Sequence, residues 1–128
     1  MTAPPQRHPD GMLVNLGCGL DTRFQRLDDG VLELTDLDLP TVIALKRALL
    51  PEEDRYRMIA SSILDFAWMD LIPARGRRIL FLAEGVFMYL PESDVRNLVL
   101  TLQQRFPGCE LLCEVFNRKW LEGWASKA

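Results

Sequence analysis

Residues 13–23 read LVNLGCGLDTR, and this stretch constrains the fold more than any other part of the chain. An apolar run broken only by Asn15 leads into Gly17 and Gly19, and Thr22 opens a segment of helical character. The local order is strand, glycine turn, helix start. Glycine suits such a turn because it lacks the Cβ that would forbid positive φ and hold the backbone away from a ligand. Backbone N–H groups at the following helix start would face that ligand. The spacing is Gly-x-Gly-x-x-Thr, so the third glycine of the dinucleotide fingerprint is missing, and a nucleoside-type ligand fits better than NAD. Read alone, the same residues also suit a tight turn with no ligand.

The rest of the chain repeats the strand-then-helix rhythm. A Pro-rich leader, residues 1–12, reads as an irregular arm. Residues 22–28 make a short helix with Phe24 and Leu27 inward, and residues 31–37 (VLELTDL) a second strand finishing in Asp36 and Asp38. Pro40 starts a helix with Val42, Leu45 and Leu49 on its inner face, which Pro51 stops. Further strands are expected at 56–60, 79–83 and 110–116, with a short helix at 66–71 and a longer one from Pro91 through Gln104. In that last helix Val95, Leu98, Val99 and Leu102 recur at helical spacing. The wholly apolar ILFLA at 79–83 is what a sheet covered on both faces requires. Five strands separated by helical segments call for an α/β fold with a doubly wound, mainly parallel sheet and right-handed crossovers. Residues 13–128 form one domain by length. Trp120 and Trp124 mark a tail.

Composition narrows the function classes. With 48% hydrophobic and 26% charged residues the chain is an ordinary globular one. Its net charge of -3, with both signs interspersed, offers no basic stripe for nucleic acid. No apolar run is long enough for a membrane span, and residues 1–11 lack a signal-peptide core, so the expected place is the cytoplasm. Cys18, Cys109 and Cys113 form no Cys-x-x-Cys pair and read as buried free thiols. A metal site at Cys109 and Cys113 lacks histidine or acidic partners. The single histidine, His8, lies in the leader and gives no triad.

In doubly wound sheets ligands sit beyond the carboxyl ends of the strands, and the polar residues of this sequence fall there: Gly17 and Gly19, Asp36 and Asp38, Ser61 and Ser62, then Glu84. A carboxylate about 20 residues past the glycines is placed to accept from both hydroxyls of a ribose. Asp38 is that candidate, with helix N-capping as its alternative role. Glu84 interrupts an apolar stretch and needs a partner, either a ligand ammonium or a basic side chain such as Arg23. Asp65 reads as a helix cap.

The segments LVNLGCGLDTRFQRL, TDLDLPTVIALKRALL, IASSILDFAWMDLI and LFLAEGVFMYLPE, in this order, resemble the leucine carboxyl methyltransferase superfamily, in particular its bacterial O-methyltransferases of polyketide biosynthesis. The likeness runs from about residue 13 to 120. It implies a class I methyltransferase (Rossmann-like) fold truncated to about five strands, with S-adenosylmethionine as cofactor and a small-molecule or carboxylate methyl acceptor. By motif, Gly17 and Gly19 would approach the methionine part and Asp38 of DLP would hold the ribose. Ser62 and Ile63 would border the adenine, and Glu84 of AEG would face the amino-acid end. Arg23 of DTR would orient the loop or the ligand carboxylate. Asn15 stands where many methyltransferases carry an acid, and the resemblance covers the cofactor-binding half of such an enzyme. No catalytic base is identified. The rival readings are a module that binds the cofactor without turnover and a dinucleotide-dependent oxidoreductase. An unpaired fifth-strand edge at 110–116 would favour homo-oligomers.

Overall fold

Five strands pair in parallel in one sheet, in which the third, second, first, fourth and fifth of the chain lie side by side in that order. In this computed structural model residues 11–113 are described. Residues 1–10 with His8, residues 114–116 and the tryptophan tail lie outside them, and the first strand opens at Met12, within the expected arm. The strands are β1 (Met12–Leu16), β2 (Glu33–Asp38), β3 (Tyr56–Ala60), β4 (Ile79–Ala83) and β5 (Glu110–Cys113). Between them run α1 (Arg23–Leu27), α2 (Pro40–Leu49) and α3 (Glu92–Arg105), with short 3-10 helices at Phe66–Leu71 and Phe87–Tyr89. β1 is central: Met12 pairs with Glu33 on one side and Ile79 on the other. The chain winds outward through β2 and β3 before crossing to β4, and so creates the reversal of strand order at which such sheets bind ligands.

Alternation along each strand feeds two cores. On one face Val14, Leu16, Phe81 and Ala83 pack with Trp68 and with Val95, Leu98 and Leu102 of α3. On the other, Leu13, Leu34, Tyr56 and Leu82 meet Phe24 of α1 and Ile43 of α2. All five residues of β1 are buried, as a strand covered on both faces must be. Phe24 stacks on Tyr56 with ring centroids 4.7 Å apart and planes 6° from parallel, which fastens the short α1 to the sheet. Asp65 caps the 3-10 helix by accepting from the Ala67 N–H, as expected.

Two expectations change. The second strand opens at Glu33, not at residue 31. Asp29 accepts from the Val31 and Leu32 N–H groups at 3.0 and 2.9 Å, and this local turn withholds those donors from the sheet. The inner face of α2 is also different. Leu45 and Leu49 are 51% and 64% exposed, whereas Ile43 and Lys46 are buried. The helix is rotated because Lys46 has an anionic partner beneath it, and satisfying a buried charge outweighs the modest gain from covering two leucines. Among the described residues β5 lies at the sheet edge, with Leu112 exposed.

Candidate functional site

The glycine turn is shaped by β2. The N–H groups of Gly17 and Cys18 both donate to the Leu37 carbonyl, at 2.8 and 3.1 Å, while Gly17 and Gly19 adopt φ of +67° and +58°. The two glycines do different work. A Cβ on Gly17 would overlap Val86 Cγ2, so Gly17 is the seat on which the segment after β4 rests. A Cβ on Gly19 would meet nothing within 4 Å, so its backbone borders open space.

Asp38 ends β2 and ties the turn to the strand. Its Oδ2 accepts from the Gly19 N–H at 2.8 Å and its Oδ1 from the Leu39 N–H at 2.7 Å. It is not the N-cap of α2. That place belongs to Leu39, which makes no side-chain cap bond. The Ser61 N–H donates to the Asp38 carbonyl at 2.9 Å and brings the end of β3 alongside. The result is a cleft of about 250 Å³ bordered by Gly17, Asp38, Ser62 and Ile63 and walled by Leu39, Leu64, Val86 and Leu90. Four of the residues singled out by sequence thus line one cavity of mixed character, with a carboxylate at one end and aliphatic side chains around it. The Ser62 hydroxyl accepts from the Leu64 N–H at 3.2 Å, and the Ile63 carbonyl accepts from the Trp68 indole at 3.0 Å, which hold this wall in shape.

Arg23 at the start of α1 and Glu84 just past β4 meet directly, guanidinium to carboxylate. Glu84 therefore has the basic partner that sequence offered as one of two alternatives. Its side chain is 46% exposed, so the carboxylate is only partly withdrawn from water. Glu84 stands one residue past β4, where the strand has already left the core.

Asp36 does not reach the cleft. It is 1% exposed in the middle of the α2 face of β2, and accepts from the Tyr56 hydroxyl at 2.5 Å and pairs with Lys46 Nζ at 2.7 Å. Lys46 Nζ also lies 3.6 Å from Asp21 Oδ1, in the loop between the glycines and α1. Burial alone would lower the Lys46 ammonium, but the Asp36 carboxylate beside it outweighs burial and leaves it raised, so the lysine stays charged. Burial, aided by Asp36, pushes the Cys18 thiol up to about 12, and it sits in the fold as a neutral apolar group. Cys109 and Cys113 are half-buried free thiols. The pattern reading missed Lys46, Tyr56 and Asp21. The available signal was an acid inside β2, between Thr35 and Leu37, and the one lysine in the helix after it, which the βα order places face to face.

The leucine carboxyl methyltransferase family profile matches residues 9–103. Over 101 residues the chain is 41% identical to the tetracenomycin polyketide synthesis O-methyltransferase TcmP of Streptomyces glaucescens. That match takes in 78% of this chain and 37% of TcmP, so the chain spans little more than a third of that relative's length. The solved structure of the glycopeptide N-methyltransferase MtfA complexed with S-adenosyl-L-methionine is similar at a TM-score of 0.58 and 26% identity, with 80% of this chain and 46% of that one covered. The N-methyltransferase NodS of Bradyrhizobium japonicum WM9 shares the fold at a TM-score of 0.62 and 16% identity, over 98% of this chain and 68% of NodS. A parallel sheet with a glycine turn after β1, a carboxylate at the end of β2 bound to that turn, and a family match covering both together place this chain in the leucine carboxyl methyltransferase family, on a class I methyltransferase fold.

Proposed function

We propose that this chain binds S-adenosylmethionine and forms the cofactor-binding part of an O-methyltransferase acting on a small-molecule or carboxylate acceptor. One observation carries the reading: Asp38, which borders the cleft, holds the Gly19 N–H on its Oδ2 at 2.8 Å, so turn and acid form one unit. The residues present suit the cofactor. Open space over Gly19 lets a ligand approach the backbone closely. A carboxylate such as Asp38 accepts from two vicinal hydroxyls, and the aliphatic walls at Leu39, Leu64 and Leu90 suit a purine face. Arg23 and Glu84, paired across the turn, offer one charge of each sign to the zwitterionic amino-acid end.

When bound, S-adenosylmethionine supplies an electrophilic sulfonium methyl. The chain's own contribution is to bind and orient that group. Asp38 fixes the ribose, Ser62 and Ile63 border the adenine, and the Gly17–Val86 contact keeps the β4 segment closed over the turn. Positioning of this kind accounts for a large share of the rate in a two-reactant transfer. A carboxylate acceptor is an anion at neutral pH and a nucleophile without a general base. TcmP is an O-methyltransferase of polyketide synthesis, and by likeness to it a polyketide-type small molecule is the acceptor class proposed.

Isothermal calorimetry on the full chain tests the reading. S-adenosylmethionine and S-adenosylhomocysteine should both bind, and NAD should give no heat above dilution. Binding of NAD in preference would restore the oxidoreductase alternative. Methyl transfer to candidate acids then separates an enzyme from a module that only holds the cofactor.

A further inference from the structure

The glycine loop is held in two halves by different means. Its first half is fixed by backbone: the Gly17 and Cys18 N–H groups converge on the Leu37 carbonyl, and the Gly19 N–H binds Asp38. The second half, leading to Arg23, is held by a long backbone bond of 3.4 Å from the Asp21 N–H to the Cys18 carbonyl and by the Asp21 carboxylate. That carboxylate is a junction. Its Oδ2 accepts from Asn15 Nδ2 at 3.3 Å and lies 3.8 Å from Arg23 Nε, and its Oδ1 accepts from the Arg23 N–H at 3.2 Å. Lys46 Nζ stands 3.6 Å from the same Oδ1 and 2.7 Å from Asp36, and the lysine is 1% exposed.

A buried ion pair is a poor way to stabilise a core, because removing two charges from water costs about as much as their attraction returns. An apolar residue at position 46 beside a neutral one at 36 would fill the space as well. What an apolar pair lacks is a charge that reaches the loop. Lys46 is the point at which a rigid helix on the sheet touches the segment that aims Arg23 at Glu84.

We propose that Lys46 is a positioning residue for the amino-acid end of the cofactor: from α2 it clamps Asp21, and through Asp21 the guanidinium of Arg23, to the buried Asp36. The chain of contacts runs Asp36, Lys46, Asp21, Arg23, Glu84, from a carboxylate 1% exposed to one 46% exposed. The proposal rests on the cofactor reading above. It makes the affinity for a ligand with an amino-acid end depend on a side chain that does not border the cleft.

The test compares S-adenosylhomocysteine with methylthioadenosine, which has the nucleoside but no amino-acid end. It uses the full chain, Lys46→Met and the double variant Asp36→Asn/Lys46→Met. The double variant leaves no unpaired buried charge and should regain most of the stability lost by Lys46→Met. Both variants should bind S-adenosylhomocysteine about tenfold or more weakly, with methylthioadenosine changed by less than about twofold. A role confined to folding would follow stability, so recovery of S-adenosylhomocysteine binding in the double variant overturns the proposal. Equal losses for both ligands, or failure of both variants to fold, also overturn it. Absence of binding of either ligand to the unsubstituted chain would instead strike the cofactor reading, and the proposal with it.

Discussion

The two glycines of the turn should respond to alanine in opposite ways. Both have left-handed backbones, φ +67° at Gly17 and +58° at Gly19, so alanine costs each about 1–2 kcal/mol in conformation alone. At Gly17 the new methyl would also overlap Val86 Cγ2, with the Val86 Cβ and Cγ1 both at 3.5 Å. Valine is stiff about χ1 and cannot swing aside cheaply. Forcing a methyl into such a contact adds about 1–3 kcal/mol. The total for Gly17→Ala is about 2–5 kcal/mol, a fall in thermal midpoint on the order of 10 °C for a domain of this size. Gly19→Ala carries only the conformational part, because nothing stands within 4 Å of its Cβ, and it places a methyl where the ligand must pass. Urea unfolding at constant m reads the stability difference, and calorimetry with S-adenosylhomocysteine reads affinity. Gly17→Ala should lose stability, and Gly19→Ala should lose mainly affinity. Adding Val86→Ala to Gly17→Ala should return the steric part, seen as coupling in a double-mutant cycle. Equal destabilisation by the two alanines, or no coupling to Val86, would refute this division of labour.

Asp38→Asn should weaken S-adenosylhomocysteine binding by about 1–3 kcal/mol through poorly satisfied hydroxyl partners. Asp36→Asn should instead lower stability, by up to about 3–5 kcal/mol, because it strips the buried Lys46 of its main partner; calorimetry and urea unfolding run on both variants would reverse the assignment if the ranking were inverted. Glu84→Gln should change stability by less than about 1 kcal/mol, since the pair with Arg23 is half open to water on the Glu84 side. It should reduce affinity for S-adenosylhomocysteine more than for methylthioadenosine, and equal losses would make Glu84 a structural partner of Arg23 only. Because Cys18 is raised from 9.0 to about 12, it favours the neutral thiol in the fold, so its contribution to stability is complete below pH 9 and is lost as pH rises toward 12. Mass-mapped alkylation at pH 8 should therefore spare Cys18 until urea unfolds the chain, and rapid labelling in the native state would contradict that.

The strands were legible where burial is total or alternation strict. ILFLA at Ile79–Ala83 and YRMIA at Tyr56–Ala60 fall where pattern places them. Pro40 marked the start of α2 because its fixed φ and missing N–H fit a helix first turn. Most of the cleft was legible too, since Gly17, Asp38, Ser62 and Ile63 sit at strand ends, and a parallel sheet brings strand ends together whatever the loops do. The face of α2 was not. Apolar periodicity counts lysine as a solvent residue, and Lys46 is buried only because Asp36 lies opposite on β2, a pairing 10 positions distant that local pattern does not weigh. The start of β2 was misplaced for a similar reason, because a side chain at Asp29 took two backbone donors that alternation assigned to the sheet.

The central claim is that the carboxyl edge of this sheet is one S-adenosylmethionine site, with the ribose on Asp38, the adenine beside Ser62 and Ile63, and the amino-acid end between Arg23 and Glu84. A crystal structure of the full chain with S-adenosylhomocysteine tests it most directly. Both ribose hydroxyls should lie within hydrogen-bond distance of the Asp38 carboxylate, and the ligand ammonium and carboxylate should be divided between Glu84 and Arg23. A ligand bound elsewhere, or one in the cleft with its ribose turned away from Asp38, would contradict it.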